Sequence, residues 1–483
     1  MSLKKTHIVL LLLGALVLGF AGAYMGVQLA GQGNDEGNNE QVEQAIPRTE
    51  ETNPSDIEKV DQAFSLIKEN YLEDVEDKEL IEGAIQGMLS TLEDPYSSYM
   101  DVETMAQFNE QIESSFEGIG AEVSMVNNMV TIVAPIKDSP AEKAGLRPND
   151  QVLSVDGESV EGLDLNEAVA EIRGEKGSEV VLEIQRPGST DPFEITIVRD
   201  TIPLETVYSS VEEIDGKKTG ILEVTNFSER TAQEFSEQLT TLEDEGIEGL
   251  VIDVRGNPGG LLTAVEDMLK LFVPEDMPYL QIEDKNGEKT PYFSDLNEKK
   301  DYPVSVVIDE GSASASEILA VAMKEMGYDI VGQTSFGKGT VQQAVPMGDG
   351  SSIKLTFYKW LSPEGESIHE KGVEPTVAIK QADYFYTNPV QIEEPLEFDQ
   401  SEDSIGNVQT MLEGLGYEPG RTDGYFSEET ETAVRAFQQD NELEETGKVD
   451  QETAGLIEAQ IIDKIRNGED DRQLEKALEE LYQ

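Results

Sequence analysis

The stretch Gly249-Leu250-Val251-Ile252-Asp253-Val254 runs directly into Arg255-Gly256-Asn257-Pro258-Gly259-Gly260. Its first half is a short continuous apolar run, the pattern of a strand covered on both faces, and its second half is a glycine-rich turn. A helix to about Phe272 follows. Upstream, Gly220–Val224 reads as a strand and Thr231–Glu243 as a helix; downstream, Val304–Ile308 reads as another buried strand that delivers the chain to Gly311. Strands alternating with helices across residues 201–380 predict a largely parallel sheet with helical cover, the core of a multidomain α/β protein.

In such sheets the chemistry sits in the turns beyond the strand ends. One turn is Asn257-Pro258-Gly259-Gly260, whose glycines let backbone N–H groups approach a bound carbonyl. The other is Gly311-Ser312-Ala313-Ser314-Ala315-Ser316-Glu317. Ser314-x-x-Glu317 has the form of a capping box ahead of Ile318–Met323, and capping alone accounts for most such matches. A serine in that place also lies beside unpaired N–H groups at the positive end of a helix, where an oxyanion is stabilised.

Composition narrows the chemistry. The chain has no cysteine and two histidines, and His7 lies beside an apolar run of membrane length. A cysteine nucleophile is excluded, and a Ser–His pair has only His369 to use. A serine deprotonated by a lysine remains. Phe336-Gly337-Lys338-Gly339-Thr340-Val341-Gln342-Gln343 places Lys338 between two glycines in an expected hairpin, where it is either an ordinary turn lysine or a base. A general-base lysine must be neutral, which needs a desolvated site. Gln342 is placed to hold its amine without adding a charge.

The rest of the 483 residues divides by composition. Residues 1–30 read as a transmembrane signal-anchor: Ile8–Ala30 is almost wholly apolar and follows Lys4 and Lys5, and about 23 residues span a bilayer core of about 30 Å. A cleaved signal peptide with Ala21-Gly22-Ala23 as its site is the rival reading. Residues 31–54 read as a flexible stalk, 55–115 as a helical region, 116–200 as a strand-rich domain, 381–400 as a polar linker, 401–459 as a small mainly helical domain and 460–483 as an acidic tail. The helical region either packs on the next domain or mediates self-association. A net charge of −64 opposes nucleic-acid binding. It fits either acidic segments such as the tail or an exported surface facing high salt or high pH.

The order strand–RGNPGG–helix, GSASASEI and FGKGTVQQ, together with Asp94-Pro95-Tyr96-Ser97, resembles the carboxyl-terminal processing peptidases, also called tail-specific proteases, over roughly residues 55–380. The resemblance implies a crotonase/Clp-protease-like α/β peptidase core and a serine-type endopeptidase. It implies that Ser314 is the nucleophile, Lys338 the general base, Gln342 the residue that orients the lysine, and the Ala315 and Gly260 amides the oxyanion donors. Glu374-Pro375-Thr376 departs from the family, which often has Asp at the third position, and the serine-to-lysine interval is about one residue short.

Residues 116–200 resemble a PDZ domain. Gly118-Ile119-Gly120-Ala121 stands where the carboxylate-capturing loop belongs, and Pro140–Leu146 with Asn149-Asp150 match the form found in bacterial proteases. Ile119, Gly120 and Ala121 are thereby implied to bind peptide. Arg173 reads either as a solvated arginine or as a link from this domain to the core. Val408–Gln438, with Asp423-Gly424-Tyr425-Phe426, resembles a peptidoglycan-binding module in which Ser427 replaces the usual glycine; Leu412, Leu415, Phe426, Val434 and Phe437 are expected core.

The expectation is a membrane-anchored extracytoplasmic protease for protein substrates with free, apolar C-termini, with peptidoglycan as a further partner and self-association left open. No metal or cofactor is implied, since no His/Cys ligand cluster exists. The rivals are a non-catalytic PDZ and wall-binding scaffold, which the presence of all three catalytic residue types opposes, and a crotonase-like acyl enzyme. Export and the lack of a nucleotide-binding signature oppose the latter.

Overall fold

The computed structural model describes residues 54–126, 129–189, 191–390, 392 and 394–483. The expected anchor and nearly all of the stalk lie outside them. Among the described residues no helix is long and apolar enough to cross a membrane.

Helices α1 (Pro54–Asn70) and α2 (Asp77–Ser90) open the described chain. Their apolar sides are not covered. Val60, Ile81 and Met88 are each more than half exposed, no residue of α2 is buried, and the two helices line an apolar groove of about 390 Å³. Asp94–Ser97 then leads into β1 (Ser98–Met100) and α3 (Val102–Glu113).

The next domain is a sheet of β3 (Ala121–Val126), β4 (Met129–Pro135), β5 (Gln151–Val155), β7 (Glu179–Gln185) and β8 (Phe193–Val198), in the order β3-β4-β5-β7-β8, with β6 (Glu158–Ser159) on β5. Helices α4 (Pro140–Ala144) and α5 (Leu165–Ile172) complete it. Along β7, Val180, Leu182 and Ile184 are buried, the alternation of a half-covered strand. Asp164 and Glu167 form a full capping box on α5. An antiparallel ribbon of β2 (Ser115–Gly118) and β9 (Asp200–Pro203) closes the domain where the chain enters and leaves.

The core sheet has the order β10-β11-β12-β15-β16-β19, formed by β10 (Val207–Ile214), β11 (Lys217–Val224), β12 (Gly249–Asp253), β15 (Val304–Ile308), β16 (Asp329–Gly332) and β19 (Val377–Ala378). Only β10 runs antiparallel to its neighbour. Every residue of β12 and β15 is buried, which is why their sequences are continuously apolar rather than alternating. Helices α6 (Thr231–Asp244), α7 (Leu262–Leu269) and α8 (Ala315–Glu325) supply the residues, among them Phe235, Leu239, Val265, Leu319 and Met323, that build the main core.

A second, antiparallel sheet has the order β1-β18-β13-β14, formed with β13 (Pro278–Glu283), β14 (Lys289–Phe293) and β18 (Ser352–Leu361), and β17 (Thr340–Pro346) also pairs with β18. Lys338 therefore lies in the passage from β16 of one sheet to β17 of the other. It is not in a hairpin, because the flanking strands never pair with each other.

The C-terminal module holds α9 (Asp403–Gly414), α10 (Glu428–Asp440) and α11 (Gln451–Arg466). Leu412, Phe426, Val434 and Phe437 are buried in it, and Leu415 is partly buried against them. Tyr384, Val390 and Leu396, from the segment read as a polar linker, are buried in the same core. The apolar residues of this segment are irregularly spaced among prolines and polar residues and make no periodic signal, which is why composition alone assigned them to a linker. The segment read as an acidic tail likewise divides in two. Its first residues finish α11, and its last helix, α12 (Arg472–Glu480), lies on the open face of the core sheet. There Ala477, Leu478 and Leu481 meet Ile221, Val251, Val307 and Val331.

Candidate active site

Both glycine-rich turns lie at the C-terminal ends of neighbouring parallel strands, β12 and β15, and they are stitched together. Asp309 Oδ1 accepts from the N–H groups of Gly256 (2.8 Å), Gly311 (2.9 Å) and Ser312 (3.1 Å). Ser312 Oγ donates to Val254 O and Ser316 Oγ to Asn257 O, each at 2.8 Å. The serines flanking Ser314 are thus fasteners, and Ser314 itself is held at the turn between them.

Ser314 has φ 55° and ψ −110°, a region a non-glycine residue occupies at a cost of about 1–3 kcal/mol. Glycine at 259 is what permits the neighbouring turn to come close. A Cβ there would lie 2.8 Å from Ser314 Cβ and 3.0 Å from Ala315 N. At Gly260 a Cβ would sit 2.1 Å from Phe227 O. Gly259 N–H is used internally, donating to Asn257 Oδ1 at 2.9 Å. Among the described residues, the N–H groups of Gly260 and Ala315 have no protein acceptor. These are two unspent donors, one in each turn, and Ala315 directly follows the strained serine.

Glu317 joins the two halves of the site. It is wholly buried, and its carboxylate accepts four hydrogen bonds. Oε1 takes Ser335 Oγ and Gly337 N–H, both at 2.6 Å, and Oε2 takes Ser314 N–H and Lys338 N–H, both at 2.8 Å. Burial pushes this carboxyl up while the four donors oppose the shift. Every partner is a donor, so the site is built for the carboxylate. Sequence reasoning treated Glu317 as a helix cap. The part it missed is that one oxygen fixes the backbones of both Ser314 and Lys338.

Lys338 is fully buried, its Nζ has no hydrogen-bond partner, and it lies 5.2 Å from the centre of the Tyr96 ring. Burial, then the nearby charge of Lys354, hold its amine well below the usual lysine range. Trp360 Nε1 donates to Lys338 O at 2.9 Å and pins the loop from below. Gln342 Nε2 donates to Thr340 Oγ1 (2.9 Å) and Thr356 Oγ1 (3.0 Å), and Gln342 Oε1 is buried without a partner. The expected Gln342–Lys338 hydrogen bond is not closed in this conformation. Both of its ends are free. His369 Nδ1 accepts from Gly339 N–H at 3.3 Å, so the one candidate histidine braces the lysine loop.

Ile119, Gly120 and Ala121 lie in a separate domain with its own core, to which Ile119 belongs. Gly120 has φ 76°, and a Cβ there would meet Ser139 Cβ at 2.5 Å. The adjoining β3 is an edge strand. Arg173 stays exposed to solvent, yet it pairs with Glu110 of α3 at 2.9 Å and stacks 4.8 Å from the Phe116 ring centre.

A sequence match to the family described as Peptidase family S41 covers residues 218–379, the sheet and loops just described. Over 97% of its length the chain is 52% identical to the carboxy-terminal processing protease CtpB of Bacillus subtilis, again over 97% of that protein. The chain belongs to peptidase family S41. It is a serine-type carboxy-terminal processing protease with a PDZ domain matched at 131–186 and a putative peptidoglycan binding domain matched at 401–457. Residues 16–104 match the family described as Activating protease CtpB N-terminal domain. A second B. subtilis relative, CtpA, is 40% identical over 89% of this peptidase and 91% of its own length. Among solved structures, the photosystem II D1 C-terminal processing protease is 25% identical, with a TM-score of 0.41 over 68% of this chain and 94% of its own.

Proposed function

We propose that this S41 peptidase cleaves protein substrates outside the cytoplasmic membrane by a Ser/Lys acyl-enzyme mechanism, after its PDZ domain has captured their C-terminus. The observation that carries the reading is the buried, unpartnered Lys338 amine, with Glu317 holding the backbones of lysine and serine on one oxygen. Ser314 Oγ attacks the scissile carbonyl carbon and passes its proton to Lys338 Nζ. The carbonyl oxygen, now negative, accepts from Ala315 and Gly260 N–H. The intermediate collapses, the leaving amine takes the proton from Lys338, and water releases the acyl group by the same path in reverse.

For C-terminal capture, the support is the Gly118–Ala121 loop beside an exposed sheet edge, where an extended peptide can add as a strand with its carboxylate on backbone N–H groups. For location, it is the apolar run at 8–30. Peptidoglycan contact is supported by the C-terminal domain match. The uncovered apolar sides of α1 and α2 support pairing of two copies through that layer.

The test is cleavage of an unfolded protein with an apolar C-terminus by the soluble chain, by Ser314→Ala and by Lys338→Ala, alongside the same substrate with an amidated C-terminus. Cleavage by the wild type alone, weakened by amidation, is expected. Activity rises with pH as Lys338 loses its proton, and because burial depresses that pKa the rise falls below the usual lysine range. Wild-type turnover by Lys338→Ala would sink the mechanism, and indifference to amidation would sink carboxylate capture.

A further inference from the structure

Asp94-Pro95-Tyr96-Ser97 precedes the PDZ domain in the chain, yet it is bound to the strand that faces the base. Asp94 Oδ2 accepts from Thr356 Oγ1 and from Ser97 Oγ, each at 2.6 Å, and Oδ1 accepts from Tyr96 N–H at 3.0 Å. Ser97 Oγ in turn accepts from Thr356 N–H at 3.1 Å. β1, directly after this segment, pairs with β18 in the register Ser98↔Lys354 and Met100↔Ser352, and fully buried Met100 joins the main core. On the other side of β18, Gln342 of β17 stands opposite Thr356, just past a bulge.

The direction of each hydrogen bond is set. A hydroxyl has one proton. Thr356 gives its proton to Asp94, which as a carboxylate only accepts, so toward Gln342 the hydroxyl offers only lone pairs. Gln342 must therefore present Nε2 to Thr356, as it does at 3.0 Å, and Oε1 is the atom left over. We propose that Asp94 is a positioning residue for the base: through Thr356 it locks the Gln342 amide with its oxygen free to accept from the Lys338 amine. Without the carboxylate, the threonine proton can turn to Gln342 Oε1. The amide then reverses and confronts the amine with its own N–H groups. Asp94 also contributes its charge to this cluster, whose other ionisable members are Lys338, Lys354, Glu317, the Tyr96 phenol and, acting on Tyr96, Glu370.

This inference rests on Lys338 being the base, so the experiment separates the two claims. Thr356→Val, Thr356→Ser, Asp94→Asn and Lys338→Ala are compared with wild type by peptide cleavage across pH, with unfolding midpoints measured in parallel. Misdirecting the base forfeits part of a general-base contribution of about 10²–10⁴. Thr356→Val is therefore expected to lose about 10- to 100-fold in kcat with KM nearly unchanged, and Thr356→Ser to recover most of it. Asp94→Asn removes a negative charge that favours the protonated lysine, so the acidic limb of its kcat profile moves to lower pH while the plateau falls. A folded Thr356→Val with wild-type kcat, or Thr356→Ser no better than Thr356→Val, overturns the lock while Lys338→Ala stays inactive. An active Lys338→Ala overturns the reading beneath it. If Asp94→Asn does not fold, the two threonine variants decide the question from the other end.

Discussion

Replacing Glu317 with Gln changes one oxygen into NH2 and leaves shape almost unaltered, so its cost can be worked from the four hydrogen bonds. If NH2 takes the Oε2 place, it faces Ser314 N–H and Lys338 N–H, which are both donors and cannot turn. If it takes the Oε1 place, Ser335 Oγ, which already accepts from Val373 N–H, can accept from the amide as well once its own proton turns away, and Gly337 N–H is the one backbone donor left facing a donor. The second arrangement is cheaper and should prevail. It forfeits a hydrogen bond to a charged group, about 1.5–3 kcal/mol, and leaves one buried N–H unsatisfied, about 1–3 kcal/mol, so a total near 3–5 kcal/mol is expected. The chain's single tryptophan reports on it directly: Trp360 is buried and bonded to Lys338 O. Urea unfolding followed by Trp360 fluorescence should show a lower midpoint at unchanged slope. Because Ser314 and Lys338 keep their acceptor in this arrangement, turnover should fall less than in Glu317→Ala, which strips all four. A Glu317→Gln variant with wild-type midpoint and emission would refute the idea that this carboxylate holds the site together.

Lys338→Met should be inactive yet more stable at neutral pH by about 1–3 kcal/mol, since it removes a buried amine with no partner. Burial depresses the wild-type pKa, so folding expels a proton and wild-type stability climbs with pH toward the unfolded lysine value; the methionine variant should lack that slope in a pH series of urea midpoints. Glu266, buried on α7, is pushed by burial from the usual 4.5 to about 7. With the folded value above the unfolded one, its contribution to stability is present at low pH and is lost as pH rises from 4.5 to about 7. Glu266→Gln should flatten that fall, gaining at most about 3 kcal/mol at pH 8. Asp471→Asn weakens a bidentate pair with Arg255, 2.7 and 2.8 Å, while the guanidinium keeps Asp253 as its other partner. A loss of about 1.5–3 kcal/mol is expected, read as a lower midpoint.

The elements legible in the sequence were those whose pattern is local. β12 and β15 were readable because strands covered on both faces are continuously apolar, and the turns after them because glycine and proline mark a turn regardless of context. Ser314, Lys338 and Gln342 stood out once composition had removed the alternatives, and the structure places the first two on a shared carboxylate. What composition did not reveal depends on contacts across long separations. Glu317 fits the S-x-x-E pattern of a cap, and nothing local says that Gly337 and Lys338 arrive at the same oxygens. Asp94 meets Thr356 across 262 positions, and Asp471 meets Arg255 across 216. The docking of α12 was masked by charge: six acidic residues between Glu469 and Glu480 outweighed Ala477, Leu478 and Leu481, whose shared face only a sheet can reveal.

Those long-range contacts have a common physical reason. Ser314 at a strained positive φ and Lys338 stripped of solvent are each unfavourable by about 1–3 kcal/mol, against a domain's net stability of about 5–15 kcal/mol. No local sequence can hold such a pair, because the turn and the loop would relax if free. The offset has to come from rigid elements on either side. The NPGG turn is fixed to the serine loop through Asp309, Ser312 and Ser316, and Arg255 at its start is clamped by α12 from the chain's end. The lysine loop is fixed by Trp360 and Glu317, and its glutamine by a segment from the chain's beginning. Loosening either clamp should therefore act on the site before it acts on the fold: Asp471→Asn through the NPGG turn, lowering kcat, and Asp94→Asn through Lys338, moving the pH limb. If both variants changed only the unfolding midpoint, the clamps would be ordinary packing and the strain at Ser314 would need another source of support.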